Sequence, residues 1–312
     1  MKSTNLSIVV CTRNRPVNLN RLLLSIETSF LLPLEVIIIS SGDDISHIIH
    51  KHSNSFKIKH FHTKLVGQSN QKKISFKYVD KKTSWVFFLD DDLEITPSTI
   101  SEAIKCINKV AENNIAGIGV KLLSTSDKSG KSTNNFSINC LNLNKGKIKK
   151  SGKAVRYMFD KRIETEWLNG AAIWRKSSLE NYDLPILNSR YAAYEDVIFS
   201  SRVGRSSKLL YEPQIEVVEQ ISHSQISVNI TQFKYITLWT GYLVCNRDES
   251  TLTSFKILSL LRAFHFKFKS MMFQSDLKFL QLMDFLIEVM LISRNKDNAQ
   301  KQILKMIEEL AI

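Results

Sequence analysis

The chain has 312 residues, 43% of them apolar, which is enough for one large domain or two modest ones and rules out wholesale disorder. Ten Gly and five Pro exclude collagen-like, linker-like and Pro-rich chains. A net charge of +13 suits an anionic partner: nucleic acid, a phosphorylated ligand or an acidic membrane. Cys11, Cys106, Cys140 and Cys245 are far apart in sequence, so no CxxC pair exists and a reduced cytosolic chain is expected. The apolar run after residues 1–5 is too short for a signal peptide, and no run of about 18 uncharged apolar residues predicts a spanning helix.

The first half alternates short apolar runs with amphipathic stretches. Residues 6–11 (LSIVVC) read as a fully buried strand. Pro16 then suits a first helical turn, followed by Leu19, Leu22, Leu23 and Ile26 at helical spacing. Residues 35–39 (EVIII) form a second buried strand, 56–61 a weaker third, and 69–78 a helix. Residues 85–89 (WVFFL) form a strand running straight into Asp90, Asp91 and Asp92; 98–113 are helical and 115–121 suit another strand. This alternation implies βαβ units and a mainly parallel sheet. Over 121–162 eleven basic residues face only Asp127 and Asp160, which reads either as a solvated, partly flexible loop or as a segment over a phosphate-bearing site. Order returns over 166–175 (EWLNGAAIWR) and continues to Glu195 and Asp196, placed before an apolar helical stretch; from 229 onward the chain reads as helices.

Three consecutive carboxylates repel one another unless solvated or neutralised by a cation. At the carboxyl end of a parallel strand they suit Mg2+ or Mn2+, which take oxygen ligands and share them with substrate phosphates. Glu195 and Asp196 either complement a helix dipole or supply a base. Thr12, Arg13, Asn14 and Arg15 follow the first strand and offer amides and two guanidinium groups for a diphosphate, and Lys72 and Lys73 offer the same from the next helix. No HExxH, GxSxG or P-loop pattern occurs.

The order LSIVVCTRNRP, EVIIISSG, GQSNQKKISF, WVFFLDDDLEITP, WLNGAAIWRK, YEDVIFSSRVGR resembles a family 2 inverting glycosyltransferase with the GT-A fold, over roughly residues 5–220. The resemblance implies a Rossmann-like α/β domain, placed over 1–225 with the basic, partly flexible segment at 122–162; the C-terminal third carries no comparable signature and is read from its own pattern as a helical region over 226–312. It implies a nucleotide-sugar donor, a divalent cation, Mg2+ or Mn2+, and transfer to the hydroxyl of a glycan or lipid-linked glycan with inversion. By match to the family's motifs, Asp90 and Asp91 hold the donor, Asp92 is the metal ligand, and Asp196 is the general base with Glu195 beside it. Thr12 and Arg13 lie where the family contacts the nucleotide, and Lys72 where many members carry an Arg near the diphosphate. Trp167, Asn169 and Gly170 match the acceptor side. Ser40 replaces the Asp that usually meets the nucleobase, and Glu219 or His223 occupies the place of a frequent His after the last sheet strand.

A nucleotidyltransferase on a similar sheet and a non-enzymatic nucleic-acid binder are the alternatives. The first fits the Glu195–Asp196 pair less well. The second lacks a zinc finger, an RNP-type aromatic motif or a helix-turn-helix signal, so no nucleic acid is expected as partner. Over 251–275 Lys256, Arg262, Lys267 and Lys269 are interleaved with large apolar residues such as Ile257, Leu260, Leu261 and Phe264. Such a stretch either packs on the catalytic domain or lies on an anionic membrane, which would place a cytoplasmic enzyme of surface-polysaccharide synthesis at the inner face of the cell membrane.

Overall fold

In the computed structural model, which describes residues 5–110, 114–124, 145–157, 160–180, 193–220, 230–272 and 279–310 (without the side chains of 269–272 and 279), the first apolar run forms β1 (Leu6–Arg13). All of it but Arg13 is buried, because both faces of an internal parallel strand are covered. β1 pairs in parallel with β2 (Glu35–Ser41) on one side and β4 (Trp85–Asp90) on the other, with Val9 opposite Ile37 and Phe88. β3 (Ile58–His62) extends the β2 side. Beyond β4 lie β8 (Ala172–Arg175), β6 (Ile115–Ser124), β9 (Lys208–Glu219) and β5 (Leu93–Ile95), while β7 (Ile163–Thr165) also pairs with β9. β8, β5 and β7 run antiparallel to their neighbours, and the other six share one direction.

Alternate residues of each strand point to opposite faces and build two apolar clusters. Ile8, Val10, Ile38 and Phe87 meet α1 (Pro16–Glu27), α2 (Ser46–His52) and α4 (Thr99–Val110) through Leu22, Ile48 and Ala103. Val9, Ile37, Val86 and Trp174 face the other way. Their cluster runs through Phe199 of α6 (Glu195–Val203) to Trp239 of α7 (Ile230–Cys245), Phe255 of α8 (Leu252–Met272), Phe285 of α9 (Phe279–Leu291) and Ile303 of α10 (Lys296–Glu309). The C-terminal helices therefore cover the second face of the sheet. α3 (Gln68–Ser75) contributes Ile74 to this side, and the short α5 (Lys176–Leu179) contributes Leu179.

The strand expected at 56–61 starts two residues later, because Phe56 is buried in the core below it. The helix expected at 69–78 stops at Ser75, and Tyr78 turns back so that its ring stacks on Phe61 with centroids 3.4 Å apart. The strand at 115–121 continues to Ser124 and pairs with β9, for whose residues the pattern gives no strand signal. Pro213 explains this: it cannot donate to a ladder, and the register slips there, with Val120 opposite Glu212 but Lys121 opposite Glu216. Within the basic segment, residues 125–144 lie outside the described residues. Its described parts are tied down, with Ile148 bridging Ala154, and Arg162 paired with Glu212.

Candidate active site

β1 is where the chain order reverses, with β2 and β3 to one side and β4 to the other, and ligands of open α/β sheets bind outside the carboxyl ends of strands at such a point. A cavity of about 590 Å3 opens there, lined by Thr12, Arg13 and Arg15 after β1, Gln68 and Gln71 of α3, and Asp90, Asp91 and Asp92 after β4. Its rim is fixed by backbone. Asn14 adopts φ 54°, a left-handed conformation that Asn tolerates, and its Oδ1 accepts from the Asp43 amide at 3.0 Å. Gly42, at φ 86°, lies against the same side chain, and a Cβ there would stand 1.8 Å from Asn14 Oδ1. The loops after β1 and β2 are thereby locked together. Gln71 donates to the Thr12 and Ile39 carbonyls at 3.0 and 3.2 Å, which fixes α3 against the ends of both strands.

The three aspartates have separate surroundings. Asp91 is buried and accepts from Thr12 Oγ1 at 2.7 Å and Arg15 Nη1 at 3.0 Å. Burial raises its pKa, and those two partners oppose the shift. Asp90 accepts from Gln68, and burial pushes its carboxyl up to about 6. Gly170 faces it: a Cβ at 170 would come 3.3 Å from Asp90 Oδ2. Asp92 is the more open, with its side chain 23% exposed against 6% for Asp91, and accepts from Arg15 at 3.2 Å. Among the described residues no group of three His, Cys, Asp or Glu side chains is assembled to hold a metal unaided. Asp90 and Asp92 remain the oxygen donors that a cation in this cavity would meet.

Beside this cavity a narrow cleft is lined by Lys72, Asn169, Gly170, Trp174, Glu195 and Asp196. Lys72 Nζ bonds Glu195 Oε1 at 2.6 Å with both side chains buried, and Ser69 also donates to Glu195. Asp196 is the second residue of α6, next to this pair. Its Oδ1 accepts from the Val197 amide at 2.8 Å, and burial raises its pKa to about 6, with Glu195 adding to the shift and Lys72 opposing it. The preceding Tyr194 adopts φ 69°, and its hydroxyl accepts from Arg262 of α8 at 3.1 Å, so a C-terminal helix steadies the turn into α6. Ser200 joins the 167–170 loop to the same helix: its Oγ accepts from the Leu168 amide at 2.9 Å and donates to the Asp196 carbonyl at 2.5 Å. The Asn169 amide donates to Tyr157 Oη at 3.0 Å, while Asn169 Oδ1 is buried without a partner among the described residues.

The sequence-expected residues thus fall into two adjoining groups. Thr12, Arg13, Asp90, Asp91 and Asp92 line the larger cavity, and Lys72, Asn169, Gly170, Glu195 and Asp196 the cleft. The Lys72 ammonium meets Glu195, although the resemblance implies the diphosphate as its partner. Trp167 stands behind the cleft, donating to the Val155 carbonyl at 3.1 Å and packing on Tyr157. Ser40 is buried at the end of β2 with its hydroxyl 2.8 Å from His60 Nε2 and 3.2 Å from His62 Nδ1, and is not among the residues lining either space. Glu219 ends β9 opposite Leu93 and Ser124, and His223 lies outside the described residues. The sequence reading assigns no role to Gln68, Ser69, Gln71 or Tyr157. For the two glutamines a signal exists: with Lys72 they recur at helical spacing directly after Gly67, whose φ of 104° marks a sharp entry to a helix.

Comparison with known proteins agrees with this arrangement. The model of Glycosyl transferase family 2 matches residues 7–162, half of the chain. No curated protein matches. Among solved structures, TarS of S. aureus superposes with a TM-score of 0.59 at 16% identity, covering 97% of this chain, which spans 55% of that one. The 1–349 fragment of TarS with UDP-GlcNAc gives 0.58 at 16% identity, covering 97% of this chain and 90% of the fragment. A mannosyltransferase of Pyrobaculum calidifontis with GDP-Man and Mn2+ gives 0.54 at 11% identity, covering 99% and 87%. At such identities these likenesses establish the fold, and the family match goes further: the chain belongs to glycosyl transferase family 2 and has the GT-A fold.

Proposed function

We propose that the protein transfers a sugar from a nucleotide-sugar donor to an acceptor hydroxyl with inversion at the anomeric carbon. The observation that carries this reading is the adjacency of two unlike carboxylate sites, touching where Gly170 faces Asp90. The larger cavity suits the donor. Arg13 and Arg15 offer guanidinium groups to a diphosphate, and Thr12 and Gln71 keep the strand ends rigid beneath it. Asp90 and Asp92 would hold Mg2+ or Mn2+, which take one or two protein carboxylates and fill their remaining places with phosphate oxygens and water. That donor set fits, and the ion supplies Lewis-acid neutralisation of the leaving diphosphate. The ligands of the structural relatives, UDP-GlcNAc in one and GDP-Man with Mn2+ in another, support a donor and cation of these classes.

Asp196 is the base. The acceptor oxygen bonds to the anomeric carbon, the bond from that carbon to the diphosphate oxygen breaks, and the hydroxyl proton passes to the Asp196 carboxylate. A pKa of about 6 leaves Asp196 ionised near neutral pH yet more basic than an ordinary aspartate. Lys72 and Glu195 hold the start of α6 in place, while Asn169 and Gly170 form the acceptor-side wall. The acceptor is a glycan or lipid-linked glycan of a bacterial surface polysaccharide, reached at the inner face of the cell membrane. Among the described residues no helix is long and apolar enough to cross a membrane. Incubation with a panel of nucleotide sugars and Mn2+ should release nucleoside diphosphate from one of them. Release of pyrophosphate from nucleoside triphosphates instead would make the protein a nucleotidyltransferase.

A further inference from the structure

The outer side of the C-terminal helices has a surface for which the catalytic site has no use. On α8, Ile257, Leu260, Leu261, Phe264 and Phe268 recur at intervals of three and four, and all are exposed, Phe264 at 72%. On α9, which packs beside it, Leu280, Met283, Ile287 and Leu291 do the same, Leu291 at 75%. The inward sides of both helices are already buried through Phe255, Ala263, Phe285 and Val289. Rows of exposed large apolar side chains on two helices that touch call for a partner, since a monomer rarely leaves much apolar surface of this kind open.

Beside the α8 stripe lies a cavity of about 660 Å3, and its chemistry identifies that partner. Ile257, Leu260 and Met290 form an apolar wall continuous with the stripe, while Lys256, Arg294 and Lys296 bring three cations against one acid, Asp248. The start of α8, at Thr251, Leu252 and Thr253, also lines it, and α10 adds its first residue, Lys296. Ser250 is 2% exposed, lines the same cavity, and has a buried hydroxyl with no hydrogen-bond partner among the described residues. Lys256 Nζ donates to the Met290 and Ile292 carbonyls at 2.7 and 2.6 Å, and an ammonium has a third N–H to give. Lys267 lies three turns beyond Lys256 on the same flank of the stripe. Asp284 and Glu288 edge the α9 stripe, so the cationic border belongs to α8. Arg262, one of the four basic residues that the sequence pattern groups here, turns inward to Thr240 and Tyr194.

We propose that the α8–α9 face docks on an anionic phospholipid membrane, with a lipid phosphate entering the cavity at Ser250, Lys256 and Arg294 and hydrocarbon meeting the Ile257–Phe268 stripe. A site with an apolar wall on one side and cations and a buried unpartnered hydroxyl on the other matches an amphiphile with an anionic head. The inference stands apart from the transfer chemistry. Because Arg262 of the same helix holds Tyr194, the docked face lies on the element that supports the start of α6.

Cosedimentation of the full chain with vesicles of phosphatidylglycerol and of phosphatidylcholine tests it. The protein should bind the anionic vesicles at low salt and leave the neutral ones in solution. Phe264→Glu and Phe268→Glu, both on exposed positions, and Arg294→Glu should each weaken binding roughly tenfold or more while the melting temperature stays within a degree or so. Equal binding to both vesicles, no binding, or indifference to all three substitutions overturns the proposal. So does soluble glycerol phosphate binding as tightly as the vesicles, which would make the cavity a site for a free phosphate ester. A dimer dissolved by Phe264→Glu in a protein that ignores vesicles would give the face to a second copy of the chain, and would likewise overturn it.

Discussion

The carboxylates after β4 open onto a cavity of about 590 Å3, and two of them, Asp91 and Asp92, meet Arg15, a side chain that is itself 51% exposed. At Glu195 and Asp196 they face a narrow cleft between Trp174, Phe199 and Phe88, and Lys72, which pairs with Glu195, is buried with its partner. An exposed ion pair contributes little and exchanges readily, so Arg15 can give up Asp92 to a divalent ion or a diphosphate. A buried pair fixes position, and the same burial keeps Asp196 basic. In the proposed reaction one chemical group in two environments serves two purposes, the first to bind and release charge and the second to take a proton.

Breaking the buried pair should give the largest effect. Lys72→Met removes the buried cation paired with Glu195 and should cost about 3–5 kcal/mol, read as a fall of roughly 10 °C in melting temperature. Adding Glu195→Gln should restore at least half of that loss. A single variant as stable as the parent would mean that Lys72 and Glu195 are not coupled. At the open cluster, Asp92→Asn should lower Mn2+-dependent affinity for nucleoside diphosphate by about tenfold or more and leave the melting temperature nearly unchanged. Calorimetry giving equal affinities in Mn2+ and in EDTA for the parent would remove the metal from the account.

The pH dependence sharpens the contrast further. With Asp196 and Asp90 both at about 6, turnover should rise at least tenfold per pH unit below that value and level off above it. Stability should move the opposite way. The folded pKa lies above the ordinary 3.8, so the folded state holds the proton more tightly, and this contribution is present below about pH 4 and lost as pH rises to about 6. Asp196→Asn should therefore stabilise the fold at pH 8 by about 1–2 kcal/mol, solvent screening trimming the full shift. A destabilised Asp196→Asn would indicate a structural role for the carboxylate.

Much of the frame was legible because internal parallel strands are written as unbroken apolar runs. The segments LSIVVC, EVIII and WVFFL each became a central strand, and the DDD run and the Glu195–Asp196 pair fell beside one another as their positions at a strand end and a helix start imply. β9 was not legible, since Pro213 and the irregularly spaced Glu212, Glu216 and Glu219 hide a strand whose pairing is interrupted by a bulge. Nor was the partner of Lys72, which lies 123 residues away, because an ion pair across the fold leaves no local spacing. Gln68 and Gln71 carry no charge, and although they share a helical spacing with Lys72, their work of holding Asp90 and the β1 and β2 ends emerges from tertiary packing. The C-terminal helices were legible as helices, but which of their faces turns outward was set by the sheet they cover.

Asp196→Asn, measured for turnover and for donor affinity on the same preparation, tests the central claim most directly. The substitution keeps the shape of the side chain and removes its basicity. Turnover should fall by roughly 10²-fold or more, while the calorimetric affinity for nucleoside diphosphate with Mn2+ changes by no more than about twofold. A variant that turns over at the parental rate, or one that loses affinity and turnover in parallel, would contradict the division of labour between the two carboxylate sites.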